Sequence, residues 1–359
     1  MKLKASYVAL AAGLVCAVGF APLALSVAVP KEGQSIESKL ATEALLLGAV
    51  RAGDRIVSVG EYGNVLLSDD DGKTWRQAKT VPTTVTLTGV VFTDDKTGYA
   101  VGHDTIILKT TDAGETWVKQ FGGGESDNAL LSVFFADANH GWAIGAFNFT
   151  VETKDAGATW VERKTLIPPA EGAAAAEGAA PALKEDVDPT KFQASADPYA
   201  AATGDENHLN AMFAGPDAET IFIAAEAGAI YRSLDGGVTW EKHLTGYAGS
   251  FWGGLTAKDG SSYVVGMRGN VWRTTDKGTT WTKLDTGGAD QSVSGGIQLA
   301  DGSLVFVGLG GQVLYSADGQ KFVLTYRPDR KGLNAVIQDG ADSLLVFGEA
   351  GVKDQSMTP

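Results

Sequence analysis

Cysteine is almost missing from this chain: Cys16 is the only one in 359 residues, and it sits in an apolar N-terminal run. Once that run is removed, no disulfide, thiolate ligand or haem-attachment motif remains. Histidine is nearly as scarce. His103, His140, His208 and His243 lie far apart, without the H-x-x-x-H or H-x-H spacing of a zinc site. Acidic turns such as residues 69–72 lack the continuation that a calcium loop needs. No metal and no cofactor is expected. Excess positive charge is lacking too: 29 Lys and Arg against 43 Asp and Glu give a net charge of −14. That balance argues against nucleic acid or anionic lipid as a partner. Beyond the N-terminal run, no segment reads as transmembrane.

Residues 1–28 open with Lys2 and Lys4, continue as an apolar run from Ala5 to about Phe20, and end in Ser26-Val27-Ala28. This is the layout of a secretory signal peptide with cleavage near Ala28. Residues 29–359 are then an exported domain, with the periplasm as the expected compartment. An uncleaved N-terminal membrane anchor is the alternative. Val15 precedes Cys16 where lipoprotein acylation requires a small residue.

What the chain has is a repeat. The pattern [ST]-x-D-x-G-x-T-W occurs at residues 68–75, 110–117, 153–160, 233–240 and 274–281, with a worn copy at 316–322 ending in Phe322. Successive end positions lie 42, 43, 80, 41 and 41 residues apart, and a period in the low forties marks a repeat architecture. Within residues 87–120 there are four runs of strand type separated by turn residues. The first three runs of the repeats are apolar on both faces, as in Ile56, Val57 and Val59, and call for cover above and below. The fourth carries charge, as in Arg76, Lys119, Arg163 and Lys283, which suits an outer edge. Four-stranded antiparallel sheets set radially with polar edges outward make a β-propeller.

The box itself reads as a structural turn. Its Asp accepts backbone N–H bonds, its Gly permits a tight reversal, and its Trp is placed to pack on the next repeat. The residues concerned are Asp70, Gly72 and Trp75; Asp112, Gly114 and Trp117; Asp155, Gly157 and Trp160; Asp235, Gly237 and Trp240; and Asp276, Gly278 and Trp281.

A second recurring turn, G-x-x-G, joins the second and third strands at residues 60–63, 266–269, 308–311 and 348–351, with variants at 102–104, 145–147 and 225–228. That makes seven, and seven first strands lie near Leu46, Val90, Val133, Met212, Leu255, Ile297 and Val336. Seven blades are therefore predicted. The last repeat has no box and no fourth strand, so residues before Leu45 are expected to supply that strand and close the ring; a helix over 35–47 is the other reading. The step of 80 hides an insertion at about 166–206, rich in Ala, Pro and acidic residues and predicted to be disordered. It follows the third blade and emerges on the face of the G-x-x-G turns, opposite the boxes, either as a tolerated loop or as a partner-binding flap.

Asp boxes also occur in sialidases, which need an arginine cluster and paired acidic and tyrosine groups. The nine arginines here are scattered, and Arg55-Ile56-Val57 lacks the proline of the sialidase motif. Glu61, Glu226 and Glu349 occupy equivalent turns, but a glycosidase pair must face each other at a set distance. Blade four lies across the ring from blades one and seven. No catalytic residue is expected.

Residues 59–75 (V-G-E-Y-G-N-V-L-L-S-D-D-D-G-K-T-W) resemble the repeat unit of photosystem II stability/assembly factor-like proteins, in which a G-x-x-G turn is joined to an Asp box. Residues 98–110 (G-Y-A-V-G-H-D-T-I-I-L-K-T) are similar to the second repeat of non-photosynthetic bacterial members, often labelled neuraminidase-repeat proteins. The likeness covers residues 45–351 apart from the insertion. It implies a non-enzymatic assembly or docking factor for a membrane protein complex, including exporters. Photosynthetic members carry a basic patch, whereas this chain is acidic and offers only Arg268 and the 327–330 segment. A carbohydrate- or surface-binding module and a sialidase-like hydrolase are the other readings. The chain is expected to be monomeric by itself.

The working surface is predicted on the mouth formed by the G-x-x-G turns, which are taken to lie beside the axis. Its candidate residues are Glu61, Tyr62, His103, Phe147, Phe149, Glu226, Trp252, Arg268 and Glu349. His103 with Asp104 is either a functional pair or a histidine capped by its neighbour. Phe147 and Phe149 either anchor a partner or fold inward and plug the channel.

Overall fold

A computed structural model describes residues 33–122, 128–163, 166, 207–340 and 343–356. The leader read at 1–28 lies outside the described residues, as does the insertion except for Leu166, which is buried. Seven antiparallel sheets follow one another along the chain, each in sequential strand order. Blade 1 contains Leu46–Ala52, Arg55–Gly60, Val65–Ser68 and Arg76–Gln77. First strands of neighbouring blades touch all the way round, blade 7 against blade 1 included, so the sheets form a closed seven-bladed β-propeller. First strands line the axis, and the G-x-x-G turns stand one strand farther out than the sequence suggested.

Burial follows the sequence pattern. Second strands such as Gly98–Gly102 and Leu304–Gly308 are buried along their whole length, whereas fourth strands such as Val161–Glu162 and Thr282–Lys283 are exposed. Every first strand carries one β-bulge near its start, at Leu47, Thr88, Leu131, Asn210, Trp252, Ser294 and Asn334. A polar side chain here can reach the neighbouring blade. Thr88 Oγ1 donates to Leu130 O at 2.6 Å, Asn210 Nδ2 to Phe251 O at 2.7 Å and Asn334 Nδ2 to Leu46 O at 2.9 Å. The last of these crosses the closure, so blade 7 meets blade 1 by the same bond that joins blade 2 to 3 and blade 4 to 5.

The five full boxes share their Gly and Thr bonds. In blade 1, Gly72 N donates to Ser68 Oγ at 2.8 Å, Thr74 N to Asp70 Oδ1 at 2.8 Å and Thr74 Oγ1 to Asp70 Oδ2 at 2.7 Å. The Trp75 indole N–H closes the turn on Gly72 O at 2.8 Å. Blades 2 and 4 repeat the full set, ending in Trp117 Nε1 to Gly114 O at 3.0 Å and Trp240 Nε1 to Gly237 O at 3.1 Å. The box glycine is required by contact as well as by its positive φ. A Cβ on Gly114 would press on Leu67 and Val57, on Gly157 on Tyr99, on Gly237 on Trp142 and on Gly278 on Phe222. All of these neighbours belong to the preceding blade. The box therefore docks backward, onto the preceding repeat and not the next. Trp75 does the same, standing edge-on to Phe347 of blade 7 at 5.9 Å between centroids.

Closure differs from the sequence expectation. Among the described residues blade 7 has three strands, Leu333–Gln338, Ser343–Gly348 and Gly351–Ser356, and residues 33–44 add no fourth strand. Neither do they form the alternative helix over 35–47; a single 3₁₀ turn, Ala41–Glu43, precedes the first strand. The segment nevertheless contributes to closure. Thr42 O seats against Gly351 just as Thr83 O seats against Gly63, Tyr247 O against Gly228 and Ala289 O against Gly269. Each of these carbonyls stands four residues before a first strand, and only a glycine leaves room for it. Ala41, Leu46, Ile56, Ile337, Leu345 and Phe347 then form one apolar cluster across the seam. Side-chain packing and a seated link close the ring, where a paired strand was expected.

Asp112→Ala is expected to lower stability by about 1–2 kcal/mol through lost turn bonds. Trp117→Ala, at 2 % exposure, should cost about 3–5 kcal/mol through lost packing; denaturant unfolding measures both. The boxes also predict acid sensitivity. The backbone N–H of Thr280 and then, against partial burial, its hydroxyl hold the Asp276 carboxyl down at about 2. A depressed carboxyl contributes its stability above the unfolded value of about 4 and loses it as pH falls through the folded value. Denaturation midpoints should therefore fall between about pH 4 and pH 2, and less steeply for Asp276→Asn.

Candidate partner-binding face

Second-to-third-strand turns and fourth-to-first links share one face because each strand reverses direction; the boxes occupy the other. In every blade, the residue after the first turn glycine donates its N–H to a carbonyl just before the first strand. Examples are Glu61 N to Leu45 O at 3.0 Å, His103 N to Thr86 O at 3.0 Å and Glu349 N to Gly332 O at 2.9 Å. The next residue stands in the left-handed region at Tyr62, Asp104, Phe147, Ala227 and Arg268, with φ between 53° and 56°. This conformation, uncommon outside glycine, lifts that side chain off the face. Tyr62 and Phe147 are exposed by 71 % and 60 %, and Arg268 is exposed as well.

The nine candidates separate into three kinds. Tyr62, His103, Phe147, Arg268 and Glu349 are exposed on the mouth. Glu61 and Glu226 are engaged within their own blades: Glu61 Oε1 accepts Leu45 N at 3.0 Å, and Glu226 Oε2 accepts His208 N at 3.0 Å. Each of these carboxylates thus holds the start of its own blade. Phe149 is half-buried and packs against the Tyr99, Val151 and Trp160 cluster between blades 2 and 3, so it is neither anchor nor channel plug. Trp252 is not on a turn; it is the half-buried bulge residue of the Phe251–Thr256 strand, next to the axis.

Two groups of side chains come together. Phe147 stands edge-on to His208 at 4.8 Å, and His208 Nδ1 lies 3.7 Å from Glu226 Oε1, which links blades 3 and 4 where the insertion leaves and returns. Near blade 1, residues 35–44 lie over the mouth. Ser35 N donates to Val81 O at 3.0 Å, Gln77 Nε2 to Ile36 O at 3.1 Å and Asn64 Nδ2 to Ala41 O at 2.8 Å. Between this segment and Tyr62 runs a groove of about 370 Å³, with Ile36 55 % and Leu40 63 % exposed at its rim. Sequence reasoning missed Ile36, Leu40 and His208. The signal for the first two was two large apolar residues among polar ones, read instead as part of a closing strand or helix.

No family profile matches the chain, and no curated protein matches its sequence. Solved structures do match in fold. One is YCF48 bound to D1 peptide, at 15% identity and a TM-score of 0.62, covering 92% of this chain and 97% of that one. Another is YCF48 from Cyanidioschyzon merolae, at 17% identity and a TM-score of 0.62, over 90% and 97%. A third is virginiamycin B lyase from Staphylococcus aureus, at 12% identity and a TM-score of 0.63, over 89% and 97%. YCF48 is a photosystem II assembly factor, so the likeness read from residues 59–75 extends to the fold. The lyase is an enzyme on the same fold.

Glu61→Ala should lower stability by about 1 kcal/mol through the lost bond to Leu45 N, with Glu61→Gln recovering most of it. Denaturant unfolding checks both, and a folded Glu61→Ala of unchanged stability would return this carboxylate to the recognition surface.

Proposed function

We propose that this chain is an exported, non-enzymatic docking or assembly factor that holds a segment of a membrane protein complex on its mouth face. The observation that carries the reading is the asymmetry between the two faces. On one, five turns repeat the same bonds from a Thr to the box carboxylate, and their glycines dock onto the preceding blades. On the other, equivalent positions present Tyr62, Asp104, Phe147, Ala227 and Arg268, all different, beside an apolar groove rimmed by Ile36 and Leu40. Aromatic and arginine side chains are the usual anchors of a protein interface, and they are costly to expose without a use.

The structure of YCF48 with a D1 peptide supports the idea that this fold can accept a segment of another protein. Glycoside hydrolysis is disfavoured because Glu61 and Glu226 are bonded to backbone N–H groups of their own blades. The lyase shares only the fold at 12% identity, so the mouth residues and not the architecture argue the activity.

A Tyr62→Ala, Phe147→Ala, Arg268→Ala variant should keep its fold, because all three side chains are exposed on the mouth. In affinity capture from a solubilised membrane fraction, wild-type protein should enrich integral membrane subunits, and the triple variant should lose at least about tenfold of that enrichment, about 1.4 kcal/mol. Equal capture by a folded triple variant would remove the mouth from the reading, and enrichment of glycans or of no membrane subunit would remove the function.

A further inference from the structure

Among the described residues the seventh blade has three strands, and we propose that the open edge of the third accepts an extended segment of a partner polypeptide, antiparallel to Gly351–Ser356, with a basic residue beside an apolar one. Sister blades show what such a place requires. Their fourth strand pairs antiparallel with the third and then reaches the box of the following blade. Lys79 N donates to Glu115 O at 2.8 Å and Trp117 N to Thr80 O at 2.9 Å, and Asp285 bridges to Lys321 in the same way. The matching groups at the seam are Lys73 O and Trp75 N, and among the described residues no fourth strand of blade 7 exists to meet them.

Between this box and the free edge lies a groove of about 410 Å³. Leu345, Val352 and Trp75 supply apolar surface, and the exposed carboxylates of Glu43 and Asp354 flank it. The edge also differs from its sisters in register. Gly266 and Gly308 pair with Asn270 and Gln312, four residues on, but Gly348 pairs with Gly351, only three on. A slip of one residue exchanges which backbone groups face outward. Val352 and Asp354 now present theirs to the edge. Arg327 Nη1 donates to Asp354 O at 2.9 Å from that side, which leaves the Val352 N–H and C=O and the Asp354 N–H for an added strand.

The occupant follows from charge. A second copy paired about a two-fold axis would, in the two registers with most overlap, set Asp354 against Asp354 or Lys353 against Lys353, and like charges directly opposite are unfavourable. Residues 35–38 are bonded to Val81 and Gln77 of blade 1. A separate segment with an apolar side chain for the Trp75 floor and a cation for Glu43 and Asp354 satisfies groove, edge and charge together, in the manner of strand addition to a sheet edge.

The probe is a capped, dye-labelled peptide copying residues 116–121 of the second blade (T-W-V-K-Q-F), with full-length mature protein. Anisotropy should show saturable one-to-one binding below about 1 mM, weakened at least about tenfold by Asp354→Lys or by Lys→Glu in the peptide. Amide exchange should slow at Val352 and Asp354. Val352→Pro, which removes an outward N–H, should abolish binding; if it does not fold, Asp354→Lys decides. Binding should survive in the Tyr62→Ala, Phe147→Ala, Arg268→Ala variant, which separates this site from the mouth. No saturation, unchanged binding by folded Asp354→Lys, loss in the mouth variant, or a wild-type dimer that Asp354→Lys dissolves would each overturn the proposal.

Discussion

The contact between each Asp box and the blade before it is the interaction on which the rest of this ring depends. A propeller blade has no core of its own; its strands are apolar on both faces and need neighbours on each side. The box supplies the fixed point of that stacking at the outer end. Its glycine lies flat against the preceding blade because a Cβ would collide with Leu67, Tyr99, Trp142 or Phe222. Its carbonyls then accept donors from that blade: Arg55 Nη1 to Ala113 O at 3.1 Å, Lys109 Nζ and Tyr99 Oη to Ala156 O at 2.6 and 2.7 Å, and Arg232 Nη1 to Lys277 O at 3.0 Å. Burial pushes the Tyr99 hydroxyl up to about 12, so it remains a donor across the physiological range. At the inner end, bulge residues such as Asn334 and Asn210 make the second fixed point.

This division explains what was legible in the sequence. A box position tolerates few residues because each does a particular job: a Ser or Thr oxygen for Gly N, two carboxylate oxygens for the second Thr, a glycine against the neighbouring blade. Its period therefore survives in the sequence and marks six blades, and the G-x-x-G turns with the first strands supply the seventh. The inner bulge has no such signature. Leu47, Thr88, Leu131, Asn210, Trp252, Ser294 and Asn334 share a place and little chemistry, since the backbone makes the bulge and the side chain only sometimes uses it. Glu61 and Glu226 look like free acids on exposed turns, and only the folded chain brings Leu45 N and His208 N within reach of them.

Closure shows the same limit from another side. Residues 348–351 (G-E-A-G) look like a copy of 60–63 (G-E-Y-G), yet the first makes a pairing one residue tighter. Register depends on what packs against a strand, and among the described residues the third strand of blade 7 has no fourth strand outside it. The sequence read a missing strand and expected it from residues before Leu45; the described part of that segment, residues 33–44, does not supply it. Those residues instead do what the links between blades do elsewhere, with Thr42 taking the place of Thr83, Tyr247 and Ala289.

The repeat is relaxed at one turn position. The left-handed turn position is held by the backbone bonds of its blade, so its side chain carries no structural duty and can differ from one blade to the next. Tyr62, Phe147 and Arg268 are thus presented on a scaffold that does not need them, which is the arrangement a recognition surface requires: rigid support with replaceable contacts. Phe149, two residues from Phe147, shows the contrast, because its side chain packs between blades and is bound to the fold. The mouth residues of such a propeller can therefore change without disturbing the boxes, because the fold is held by contacts between blades and not by the side chains at this turn position.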